Sequence, residues 1–195
     1  CYTPAFRGVA RAREGSPDVV LGSFNQFWKI NEPCLDGWVR LLHAVPGARL
    51  LVVGVPAGRT AERFRARLAA CGIAPGRLSL MPRVDVQRYA ALIADADIAL
   101  DTFPYNGATT TLDALWLGTP LVAVRGERPI SRGSFSILST LELPDLIADD
   151  ADSWLALNVR LARDRPWRTS LQQSLRQRLE ASPLMDAAAF TRDLE

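Results

Sequence analysis

The chain has 195 residues, 48% of them apolar, and a formal net charge of +2 from 23 basic and 21 acidic residues. That apolar fraction supplies one core of ordinary domain size and argues against a second. The interspersed charge leaves no basic stripe of the kind nucleic acid needs, and no apolar run reaches the roughly 20 residues of a membrane span. With no signal peptide legible, the sequence reads as soluble and without a membrane partner. Cys1, Cys34 and Cys71 are odd in number and have neither C-x-x-C nor zinc-ligand spacing, which points to reduced structural thiols, a cytoplasmic setting and no metal site.

In chain order, residues 1–17 are rich in Arg, Gly and Pro with no sustained period, and the chain opens on Cys1 without a methionine. They read as an interdomain linker cut from a longer protein, with 18–195 as the domain. Strand and helix periods then alternate: a strand over Val19–Phe24, a helix over Leu35–Val45, a strand over Arg49–Val53 and a helix over Thr60–Cys71 stopped by Gly72. A third strand follows over Leu78–Met81, a helix over Asp85–Ala94, a fourth strand ending at Leu100, a helix over Thr109–Leu117 and a strand over Leu121–Val124. Ser131 is placed to cap the next helix. A last short strand near Leu146–Ala148 precedes helical patterns carrying Trp154, Leu157 and Leu161, then Trp167, Leu171 and Leu175, and a final segment in which Phe190 and Leu194 share one face. The order predicts an α/β fold, a Rossmann-like doubly wound parallel sheet with extra carboxyl-terminal helices. The single histidine, His43, falls late in an amphipathic helix, where packing or capping is its expected part.

Two features carry chemistry. In "LDTFPYNGATTTLDALWLGTPLV" a strand ends at Asp101, Pro104 and Gly107 turn the chain, and three threonines open a helix that Gly118 and Pro120 stop. Such a helix start turns free N–H groups and the positive end of its dipole toward the loop, where a diphosphate could sit. The same threonines could equally be ordinary caps of a buried helix. The second feature is lysine usage: Lys29 is the single lysine among 23 basic residues. It follows the first strand, at the strand end where open α/β sheets place ligands, and an ammonium is a compact charge that can press on one phosphate oxygen.

These segments also carry a family resemblance. "GSFNQFWKI", "ADIALDTFPYNGATTTLDALWLGTPLV", "GERPISRGSFSIL" and "ASPLMDAAAF" together resemble the carboxyl-terminal half of the catalytic region of the O-GlcNAc transferase family, bacterial members included, from about Val19 to the end. The resemblance implies the second Rossmann-like domain of a GT-B glycosyltransferase. It implies that Gln26 and Lys29 contact the donor diphosphate, that Thr109 and Thr110 cradle phosphate, and that Asp113 holds the ribose hydroxyls. It places Tyr89 near the position that stacks on uracil, with the backbone around Arg83 beside the base. Ala108 stands where the animal enzymes carry a histidine.

The activity so implied is transfer of GlcNAc from UDP-GlcNAc to Ser or Thr hydroxyls of proteins, with inversion. No cofactor and no divalent metal are expected, since Lys29 would stabilise the leaving UDP. Protein acceptors would be engaged through an amino-terminal catalytic half and tetratricopeptide-type helical repeats. The resemblance covers only the second of the two GT-B domains, and no internal repeat of about 34 residues is visible in this chain, so the chain by itself is expected to be inactive. Three other readings stay open: another GT-B transferase with a different sugar nucleotide or an Asn acceptor, a non-catalytic nucleotide-binding module, and a dehydrogenase domain, the last disfavoured because "SFNQFWK" stands where a glycine-rich fingerprint would be.

Overall fold

Strands rich in Leu, Val and Ile, apolar on both faces, are the signature of a parallel sheet covered on both sides. In the computed structural model, which describes residues 1–6, 8–9 and 18–194, they form β1 (Val20–Ser23), β2 (Arg49–Val53), β3 (Leu78–Met81), β4 (Ile98–Leu100), β5 (Leu121–Val124) and β6 (Ile147–Ala148). All pair in parallel, in the order β3-β2-β1-β4-β5-β6. Leu21 of β1 lies between Leu50 of β2 and Ile98 of β4. The winding therefore reverses between β1 and β4, and their carboxyl ends open the crevice where doubly wound sheets bind ligands.

The helices follow from caps and apolar faces. Asn31 accepts from the Cys34 N–H at 3.0 Å and starts α1 (Glu32–Ala44), three residues earlier than the apolar period alone indicates, with Leu35, Trp38, Leu41 and Leu42 buried on the sheet. After α2 (Arg59–Ala70), Asp85 caps α3 (Val86–Asp95) through the Arg88 N–H at 2.9 Å. The helix α4 (Thr109–Trp116) ends at Gly118, whose φ of 76° suits glycine and whose added Cβ would lie 2.8 Å from the Gln172 carbonyl. Asp150 and Asp164 cap α6 (Ala151–Arg163) and α7 (Arg165–Glu180). The buried Arg168 guanidinium donates to the carbonyls of Leu161 and Ala162 at the end of α6, satisfying acceptors that helix leaves open. His43 reaches the Cys71 carbonyl at 2.9 Å and ties the end of α1 to that of α2.

Ser131 departs from its expected part. Its hydroxyl closes a short 3-10 turn, Pro129–Ser131, by donating to the Arg128 carbonyl at 2.8 Å, and Arg132 is the residue before α5 (Gly133–Thr140). Pro129 favours that turn, which uses the serine before the helix begins. Of the segment assigned to a linker, Arg7 and residues 10–17 lie outside the described residues. Tyr2 and Phe6 are buried against the domain, held where the Tyr2 N–H donates to Leu184 O at 2.8 Å and the Trp116 indole donates to Phe6 O at 2.8 Å. In the last helix, α8 (Ala187–Leu194), Phe190 is 51% exposed, and the side chain of Leu194 lies outside the described residues. No described helix is long and apolar enough to cross a membrane.

Candidate nucleotide-binding site

Two loops meet at the carboxyl ends of β1 and β4. The first runs from Asn25 through a 3-10 turn, Phe27–Lys29. The second leaves β4 at Asp101, passes the cis Phe103–Pro104 bond, and enters α4. Lys29 joins them, since its ammonium donates to the Asn106 carbonyl at 3.0 Å and sits 3.9 Å from the centre of the Tyr105 ring. An ammonium carries three donors, so one committed to Asn106 leaves two for a ligand. Burial lowers the Lys29 pKa and the Asp101 carboxylate opposes that shift.

Asp101 organises the second loop. Its Oδ1 accepts from the N–H groups of Thr102 and Gly107, both at 2.8 Å, and from the Asn25 amide at 3.2 Å, while Oδ2 has no hydrogen-bond partner among the described residues. Burial raises its pKa, and the hydrogen bonds from Gly107, Thr102 and Asn25 pull the other way. Gly107 is required here by space. A Cβ on it would lie 2.9 Å from Thr111 Oγ1, 3.0 Å from Asn25 Oδ1 and 3.2 Å from Asp101 Oδ1. Gly107→Ala is expected to cost about 1–3 kcal/mol by overpacking and to weaken nucleotide binding. Thermal unfolding with and without UDP checks this, and an unchanged melting temperature would contradict the crowding.

The threonines do not cap α4. Its N-cap is Ala108, with no side-chain cap, and the first intrahelical bond runs from the Leu112 N–H to Ala108 O at 3.0 Å. The N–H groups of the first turn therefore carry the positive helix end toward the Lys29 loop. Thr109 is exposed, Thr110 is partly buried, and Thr111 bonds the Ser134 hydroxyl at 2.8 Å. Asp113, one turn on, is buried and accepts from the Tyr2 hydroxyl at 2.7 Å. Burial raises the Asp113 pKa and that hydrogen bond opposes the rise.

The structure thus ties Lys29 to the loop that leads into α4, the helix whose first turns carry Thr109, Thr110 and Asp113. Gln26 lies exposed on the first loop, accepting from the Trp28 indole at 3.2 Å. Arg83 is exposed on the loop between β3 and α3. Tyr89 is partly buried, its ring 6.0 Å from Phe24 and 6.1 Å from Phe6, and burial pushes its hydroxyl up to about 12. Sequence reasoning passed over Trp28, Tyr105, Asn106 and Asp101. The exposed Trp28 packs edge-on against Tyr105 at 5.2 Å, and the adjacency of Trp28 to Lys29 was the one available signal. Asp101 was noted only as a strand end, although an acid closing a buried strand before Asn-Gly marks a loop with N–H groups to satisfy.

Comparison with known proteins identifies the family. The family model described as glycosyl transferase family 41 matches residues 8–194. A Petunia hybrida protein named probable UDP-N-acetylglucosamine–peptide N-acetylglucosaminyltransferase SPINDLY is 37% identical over 209 residues, covering 100% of this chain and 22% of that protein. A Caenorhabditis elegans UDP-N-acetylglucosamine–peptide N-acetylglucosaminyltransferase is 30% identical, covering 96% of this chain and 16% of its own length. Among solved structures, a mutant of the Thermobaculum terrenum O-GlcNAc transferase superposes with a TM-score of 0.85 at 33% identity, over 92% of this chain and 35% of that one. The chain spans about a fifth of the length of the curated relatives it matches. With the family model covering nearly its whole length and the transferase fold reproduced around the β1–β4 crevice, the chain belongs to glycosyl transferase family 41.

Proposed function

We propose that this chain is the UDP-binding half of a protein O-GlcNAc transferase, and that the whole protein moves GlcNAc from UDP-GlcNAc to Ser or Thr hydroxyls of acceptor proteins. The observation that carries the reading is Lys29 Nζ, held at 3.0 Å from the Asn106 carbonyl beside the uncapped start of α4. A lysine donor and a helix terminus converge where a diphosphate would lie. Asp113 is within the same helix for the ribose hydroxyls, and Gln26, Arg83 and Tyr89 complete the donor site in this reading.

In the reaction, the acceptor hydroxyl oxygen forms a bond to the anomeric carbon from the face opposite UDP. The bond from that carbon to the β-phosphate oxygen breaks, and its electron pair stays on UDP. Lys29 and the first N–H groups of α4 lower the energy of the charge that develops there, as fixed donors do best when they need not reorganise. The acceptor proton passes to a base outside the residues assigned here. This arrangement calls for no cofactor and no divalent metal. Protein acceptors, helical repeats and a cytoplasmic setting belong to the same proposal for the whole protein.

Calorimetric titration of the chain with UDP tests it. UDP is expected to bind, UDP-GlcNAc to compete no better than UDP, and magnesium to change little, because every assigned contact goes to phosphate, ribose or base. No heat and no rise in melting temperature at millimolar UDP would end the donor-site reading. Competition by other UDP-hexoses on the whole enzyme separates GlcNAc from its alternatives.

A further inference from the structure

The segment before β1 bears on α4, the helix that carries Thr109, Thr110 and Asp113 of the proposed site. Residues 1–6 lie across α4, pinned by Tyr2 N–H to Leu184 O at 2.8 Å and by the Trp116 indole to Phe6 O at 2.8 Å. Two side chains of this strap then touch two residues of the proposed donor site: the Tyr2 hydroxyl donates to Asp113 Oδ1 at 2.7 Å, and the Phe6 ring lies 6.1 Å from that of Tyr89.

We propose that residues 1–6 form a wall of the ribose end of the nucleotide site, and that Tyr2 is a positioning residue that fixes the Asp113 carboxylate for a ribose hydroxyl. The inference rests on the donor-site reading given above. A carboxylate has acceptor sites on both oxygens. With Oδ1 held by a phenol, the group cannot rotate freely, and Oδ2 is the oxygen left to accept from a ribose hydroxyl. A hydrogen bond to an ionised acceptor is also the stronger kind, so Tyr2 favours the form of Asp113 that accepts. Burial pushes the carboxyl toward its protonated form, and Tyr2 is the group that opposes this.

Among the described residues, Tyr2 is the side chain that hydrogen-bonds Asp113. α4 packs against α3, α5, α7 and β5. From α3, Tyr89 faces Asp113 with a hydroxyl that burial keeps protonated, and α5 contributes the neutral Ser134. On α7, Arg176 stacks on Trp116 at 4.2 Å and pairs with Glu180 at 3.2 Å.

The test is UDP titration by calorimetry between pH 5 and 8 on the wild-type chain, Tyr2→Phe, Asp113→Ala and the double variant. Tyr2→Phe keeps the ring and its packing. Its UDP dissociation constant is expected to rise about tenfold at pH 7, the scale of one charge-assisted hydrogen bond. Removing a bond to the carboxylate raises the Asp113 pKa, so the loss of affinity on acidification should begin at higher pH than in the wild type. In the Asp113→Ala background, where no acceptor remains for the Tyr2 hydroxyl, the Tyr2 change should add nothing. Carbon-13 titration of the Asp113 carboxyl without nucleotide should show the same upward shift. Wild-type affinity and pH profile in Tyr2→Phe would overturn the inference and leave the donor site standing, as would an equal loss with and without Asp113. Failure of the wild-type chain to bind UDP would overturn the donor-site reading, and this inference with it.

Discussion

Lys29→Ala in the whole enzyme should lower turnover by roughly a hundred- to a thousandfold, the effect of removing one preorganised donor at a developing negative charge. Donor affinity should fall much less, because the charge on the bridging oxygen grows only as the sugar bond breaks. The geometry sharpens the expectation for arginine. The ammonium fits between the Asn106 carbonyl at 3.0 Å and the Tyr105 ring at 3.9 Å, a space shaped for a compact charge. Lys29→Arg should therefore recover only part of the loss, since the planar fork cannot occupy the same point. Because burial lowers the Lys29 pKa, the ammonium is lost at lower pH than on an exposed lysine, and turnover should decline correspondingly early on the alkaline side. Steady-state kinetics alongside donor titration separates the two effects, and wild-type turnover in Lys29→Ala would end the assignment.

Asp101→Ala should destabilise the fold and loosen the site together. It leaves the N–H groups of Thr102 and Gly107 without their acceptor, at about 1–3 kcal/mol for each buried donor, so urea unfolding should show a loss of several kcal/mol. The loop carrying Asn106 O would no longer be held, and UDP affinity should fall with it. Asp101→Asn keeps an oxygen for those donors and should cost less. The pH dependence has a definite sign. Burial sets the folded-state pKa of Asp101 above its ordinary value, so between the two values the folded state holds more protons than the unfolded chain. The contribution of this group to stability is full below the unfolded value and falls as pH rises through that window. Asp101→Asn should lose this decline. An Asp101→Ala protein with wild-type stability would show that the loop is held by other means.

What the sequence by itself determined is what short-range pattern encodes. The strands read as apolar runs because most of their residues are buried, and the helices read as 3.6-residue periods, one beginning at Asp85 and others stopping at Gly72 or Gly118. Lys29, Thr109 and Thr110 stand out as candidates because each sits in a local motif at a strand end or helix start, whereas Asp113 enters only through the family resemblance. Other features depended on residues far apart in the chain. Lys29 meets the Asn106 carbonyl 77 positions away, and Tyr2 meets Asp113 across 111. No period or composition encodes such pairs, and a segment rich in Arg, Gly and Pro reads as linker whether or not its first residues dock. Ser131 looked like a helix cap because serine caps many turns, and the 3-10 turn after Pro129 claimed it. The sheet order made these choices: setting β4 beside β1 brings two loops to one crevice, and there each donor takes the acceptor that burial leaves open.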